Sequence, residues 1–131
     1  MVEPSTRFSK EHSLQDKLHF YNQLHDFYGA LLTEKQRDCF VMRYLEDYSL
    51  AEIGDILQIT PQAVADQLKR TTALLQKYES KLGFIQSWSK QQHYLQQASI
   101  LLTELQLSEQ HNQYNLVKQI RLLIEEAKNG F

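Results

Sequence analysis

An all-α fold is predicted for this chain of 131 residues. Apolar residues recur at steps of three and four along most of its length, and hydroxyl residues stand where helix N-caps are needed. Only four glycines and two prolines interrupt that pattern. No stretch alternates apolar and polar residues long enough to read as a strand.

Leu14, Leu18, Tyr21, Leu24, Phe27 and Tyr28 mark an amphipathic leading helix, with Ser13 as its cap and Gly29 as its break. Residues 1–13 are then a flexible N-terminus. Thr33 precedes Glu34-Lys35-Gln36, so its hydroxyl and the Gln36 amide can satisfy first-turn backbone donors reciprocally. In the helix that follows, Phe40, Val41, Tyr44 and Leu45 form the apolar face. Ser49, with Glu52 three residues on, is a second capping box and opens a short helix from Leu50 to Leu57. Its Ile53, Ile56 and Leu57 are expected inward, with Gly54 as the small residue where helices cross closely. Gln58-Ile59-Thr60 makes the turn. Pro61 fits the first position of the next helix, where a missing N–H costs no hydrogen bond. That helix runs towards Tyr78 and buries Val64, Leu68, Thr71, Leu75 and Tyr78, leaving Gln62, Ala65, Asp66, Lys69 and Arg70 on the opposite face. Two helices joined this way form a helix-turn-helix, whose second helix would enter the major groove.

These residues resemble region four of bacterial sigma factors, and more closely the YlxM-like family of small bacterial proteins. The resemblance runs from about Asp26 to Gly83. It rests on Asp26-Phe27-Tyr28, Leu31 to Arg37, Tyr44 to Asp47, Ser49-Leu50, Glu52-Ile53, Gln62-Ala63-Val64, Asp66, Lys69-Arg70-Thr71 and Tyr78-Glu79. It implies a sigma region-four-like helix-turn-helix of the winged-helix-superfamily type, and a regulatory role in transcription. Because the family's genes tend to lie beside those of the signal recognition particle GTPases, it also implies a connection with protein targeting. The chain departs from the pattern in two places. Pro61, Ala65, Asp66 and Gln67 stand where sigma-like recognition helices place basic or hydroxyl residues, and the family more often has arginine than proline after the turn. Gln58 stands where glycine is usual.

Charge weighs on the same question. From Thr33 to Leu82 there are seven Lys or Arg and eight Asp or Glu, a net of −1. Phosphate contacts supply most non-specific affinity, so a domain without a basic excess binds DNA weakly unless its cations share one face. Lys69, Arg70 and Lys77 against Asp66 alone offer such a face on the helix from Pro61.

Past Gly83 the segment Phe84 to Lys128 carries no net charge, which excludes a phosphate-binding tail. Gln91, Leu95, Ala98, Leu102 and Leu105 step by four and three, as do Val117, Ile120, Ile124 and Ala127, with Ser108 to Asn112 as a polar turn. This predicts a C-terminal αα-hairpin over residues 84–131, packed on a helix-turn-helix domain over 14–83. Self-association or partner binding is the alternative, and self-association through the stripe Leu95, Leu102 and Leu105 would give a homodimer.

The chain offers no catalytic or cofactor motif. His12, His19, His25, His93 and His111 lack the spacing of a zinc site and mostly read as solvent-facing. There is no glycine-rich phosphate loop and no nucleophile elbow. The single cysteine, Cys39, fits a reducing cytoplasm and is expected in the core. No apolar run approaches the ~20 residues of a membrane span, and Met1 to Ser13 lacks the apolar centre of a signal peptide. The expectations are thus a non-enzymatic, cytoplasmic protein with no cofactor, no metal and no membrane insertion. Two function classes stay open. One is a DNA-binding regulator that contacts duplex DNA through Thr60, Gln62, Lys69 and Arg70. The other is an adaptor that does not bind DNA and contacts protein or ribonucleoprotein, with signal recognition particle components as partners.

Overall fold

The computed structural model describes residues 4–107 and 113–130, with side chains from Ser13 onward. Six α-helices account for almost all of them: α1 (Pro4–Tyr28), α2 (Glu34–Tyr44), α3 (Leu50–Leu57), α4 (Pro61–Leu82), α5 (Phe84–Leu107) and α6 (Gln113–Lys128). A 3-10 turn at Gly29–Leu31 links α1 to α2. No strand, and so no β-wing, occurs among the described residues. The chain divides into two compact units, one ending at Leu82 and the other beginning at Gly83.

The caps act as their chemistry requires. Thr33 Oγ1 accepts from the Gln36 amide at 3.3 Å while Gln36 Oε1 accepts from the Thr33 amide at 3.0 Å, a complete capping box. Ser49 Oγ accepts from the Glu52 amide at 3.1 Å. The Glu52 carboxylate returns no such bond, so the second box is half formed. Helix α1 corrects the expected start. It begins at Pro4 rather than at Ser13, which lies inside it, and residues 4–12 have helical backbone. Proline fits the first helical position, and nothing from Ser5 to His12 breaks a helix. The apolar periodicity begins only at Leu14 and therefore misplaced the boundary. Leu14 itself is 57% exposed, so this end of α1 gains little from packing.

The core of the first unit has two parts. Tyr21, Phe40 and Tyr44 form an aromatic cluster between α1 and α2, with ring centroids 4.7 to 5.9 Å apart. His25 stacks on Phe40 and is only half-buried, which corrects its reading as a solvent-facing histidine. Beneath the helix-turn-helix, Cys39, Ile53, Val64 and Leu68 are buried together, with Met42, Tyr44, Leu50, Leu57 and Ile59 packed on them. Burial pushes the Cys39 thiol above its ordinary pKa, so it stays protonated and unreactive there. In α2 and α3, two expected core positions are outside. Leu45 ends α2 on the surface, and Ile56 is 54% exposed because the eight residues of α3 bury only the face of Ile53 and Gly54.

The turn between α3 and α4 closes tightly. Gln58 adopts the left-handed conformation (φ 59°, ψ 43°), and the amides of both Gln58 and Ile59 donate to the Gly54 carbonyl. A non-glycine residue there carries a Cβ clash, so Gln58→Gly should raise stability by up to about 1 kcal/mol. A urea midpoint lower than that of the unchanged protein would refute this.

The second unit is an antiparallel hairpin. Gln91 Nε2 donates to the Ala127 carbonyl at 3.2 Å, which places the start of α5 beside the end of α6. Ala98, Ile120 and Ala127 are buried along it. The turn expected at Ser108 to Asn112 lies outside the described residues.

Candidate nucleic-acid interface

Helices α3 and α4 with the turn at Gln58-Ile59-Thr60 form the helix-turn-helix, and α4 is its second helix. Val64, Leu68, Thr71 and Leu75 are buried along one stripe of α4. At 3.6 residues per turn this presents Gln62, Asp66, Lys69, Ala73 and Lys77 to water, and all five are exposed. Arg70 is exposed on the flank of that face.

The four residues expected to contact DNA all lie on or at the start of α4, with different freedom. Thr60 is its N-cap: Oγ1 accepts from the Ala63 amide at 3.1 Å, while the Thr60 carbonyl accepts from Val64 at 3.0 Å. The hydroxyl proton is left to donate outward. Gln62 stands in the first turn, where a recognition helix meets base edges. Lys69 follows two turns later, about 10 Å along the axis, and Arg70 projects about 100° away from it. The two cations thus suit separate phosphates better than adjacent bases.

Electrostatics divide the surface. Between Arg43 and Lys69 the chain holds no Lys or Arg, whereas Glu46, Asp47, Glu52, Asp55 and Asp66 are all exposed. The first helix of a helix-turn-helix crosses the DNA backbone, and here it would bring Glu52 and Asp55 towards phosphates. The cationic part of α4 begins only at Lys69, past its first two turns.

Some of the charge counted in the sequence is engaged within the unit. Arg43 Nη1 donates to the Tyr48 carbonyl at 3.0 Å and ties down the loop between α2 and α3. In that loop Asp47 adopts the left-handed conformation (φ 61°), which aspartate tolerates better than most residues. Tyr28 OH donates to Glu79 Oε2 at 2.5 Å, joining α1 to the far end of α4. Sequence spacing gives no signal for a bond between residues so far apart in the chain. The described residues hold no group of three or more His, Cys, Asp or Glu able to bind a metal ion. No helix among them is long and apolar enough to cross a membrane.

Comparison with known proteins gives the same motif. The family model described as "Putative helix-turn-helix protein, YlxM / p13 like" matches residues 15–120. A UPF0122 protein of Caldanaerobacter subterraneus subsp. tengcongensis is 54% identical over 72 residues, 55% of this chain and 62% of that protein. That match spans a little under two thirds of the relative's length. A UPF0122 protein of Oceanobacillus iheyensis is 43% identical over 94 residues, covering 72% of this chain and 90% of the relative. One from Geobacillus sp. (strain WCH70) is 38% identical over 102 residues, covering 78% and 92%. With the helix-turn-helix formed by α3 and α4 and a family match over most of its length, the chain belongs to the UPF0122 family of YlxM / p13-like proteins.

Proposed function

We propose that this protein is a weak, non-enzymatic reader of duplex DNA that regulates transcription in the cytoplasm. In this reading Thr60 and Gln62 meet the duplex at the start of α4, and Lys69 and Arg70 hold phosphates. The observation that carries it is the outward face of α4, a helix-turn-helix second helix whose inner stripe is fully used in the core while Gln62, Lys69, Arg70 and Lys77 are exposed. With so few cations per copy, two copies on one duplex would gain the most, so the reading includes a homodimer.

The double change Lys69→Ala and Arg70→Ala tests it. Affinity for duplex DNA should fall, and the slope of log K against log salt should flatten by about 1.8, because two phosphate contacts release their counterions no longer. Fluorescence anisotropy over a salt series measures both. An unchanged slope removes α4 from the contact.

The acidic run from Glu46 to Asp66 favours a second reading. A helix-turn-helix that presents carboxylates where phosphates should lie suits an adaptor that contacts protein or ribonucleoprotein, with signal recognition particle components as the partners to examine. A pull-down from cell extract with and without nuclease separates the two. Partners retained after nuclease treatment, with no DNA recovered, support the adaptor.

A further inference from the structure

A two-helix hairpin has two broad faces, and those of α5 and α6 differ in a way that selects an occupant. One face holds Ile100, Leu101, Leu122 and Leu123, and the only charge lining it is Glu126. The other is a cleft of about 370 Å³ whose apolar floor includes Leu102, Val117, Ile120 and Ile124. Leu102 is 48% exposed and Ile124 39% exposed. Charges of both signs border this second cleft: Arg121, Glu125 and Lys128. Glu125 lies 4.0 Å from Lys128 on its own helix, while Arg121 has no ion-pair partner among the described residues.

We propose that a second copy of this chain docks on the Leu102, Val117 and Ile124 cleft, so that two hairpins close a four-helix bundle across a two-fold axis. This deepens the paired-copy reading above by giving it a surface. A symmetric dimer uses one patch twice, so the patch must be complementary to itself. Of the two faces, the second supplies charges of both signs for that match. The cleft spans α6 from Val117 to Lys128, and its midpoint falls between Arg121 and Glu125. Two α6 helices crossing antiparallel at that level set Arg121 of each copy against Glu125 of the other. On the first face Glu126 would find no cation. The size sets the strength. The twelve residues of α6 along the cleft are about 18 Å long, and two adjacent helices are about 20 Å wide. The footprint is then roughly 360 Å² per copy, about 700 Å² for the pair, which places it among weak, transient interfaces. Association should therefore be concentration-dependent, with a dissociation constant on the order of micromolar.

Sedimentation velocity of the full chain from about 1 to 500 µM tests this, and should show monomer passing to dimer across that range. Arg121→Glu sets like charges against each other and should weaken dimerisation about tenfold or more. Adding Glu125→Arg restores the pair with its signs exchanged and should recover most of the loss. Both positions are exposed, so the fold should tolerate these changes. Leu102→Glu should abolish the dimer while the circular dichroism stays helical. Four results would overturn the proposal: a monomer at every concentration, no recovery in the charge-exchanged double variant, a dimer that survives Leu102→Glu, or unfolding by Leu102→Glu of a parent that was monomeric, which would make the cleft an intrachain core. Anisotropy on duplex DNA with the same samples separates the two readings. A chain that dimerises as described but leaves DNA free refutes the DNA reading alone. DNA binding by a chain that stays monomeric refutes this one alone.

Discussion

Replacing Gly54 by alanine is expected to destabilise the helix-turn-helix unit by about 1–3 kcal/mol, despite adding a better helix former. On propensity alone the change would stabilise α3 by about 1 kcal/mol. Packing decides the sign. A Cβ at position 54 would lie 2.6 Å from the Ile59 carbonyl oxygen and 3.4 Å from the Pro61 nitrogen. These are backbone atoms, so no side-chain rotation relieves the overlap. The turn would have to move outward, yet it is held by the Ile59 amide donating to Gly54 and by Ile59 packed on the core. Small domains are stable by only about 5–15 kcal/mol, so the urea midpoint should drop by a large fraction. A variant as stable as the parent would mean that the turn does not close on α3 at this distance.

Phe40→Ala is expected to cost about 3–5 kcal/mol, the range for removing a buried phenyl ring from a core that cannot collapse around the gap. Phe40 is fully buried, and its ring meets Tyr21 on α1 and Tyr44 on α2, so one truncation disrupts both aromatic pairs. The loss should act first on the attachment of α1 and reach the α3 and α4 pair mainly through Tyr44, which packs on the core cluster beneath them. Equilibrium urea unfolding gives the magnitude. A cost below about 1 kcal/mol would show that this cluster does not hold α1.

Much of the fold was legible because helix ends carry local chemistry. Thr33 with Gln36, Ser49 ahead of Leu50, and Thr60 with Pro61 each satisfy backbone donors within three residues, and those three starts stand where sequence places them. Val64, Leu68, Thr71 and Leu75 were legible for the same reason, since a helix of 22 residues repeats its stripe often enough to define it. Short or one-sided signals failed. Over the eight residues of α3, spacing alone could not separate the inward Ile53 from the outward Ile56. The start of α1 has no apolar stripe to mark it, only a proline and good helix formers. At the candidate interface the four residues on α4 were readable as positions. Their surroundings were not: Arg43 bonded to the Tyr48 carbonyl and Glu79 bonded to Tyr28 are tertiary facts with no local pattern.

The length of α4 has a mechanical consequence. At 22 residues it is a rod of about 33 Å. Its last turns meet α1, where the Tyr28 ring tilts against Tyr78 and the Tyr28 hydroxyl bonds Glu79, while Val64 and Leu68 seat its first turns in the helix-turn-helix core. A rod seated at both ends is a tie between α1 and the helix-turn-helix. Without the Tyr28 anchor the buried stripe that starts at Val64 would have to hold about 33 Å of helix alone, so the two ends of α4 share its load.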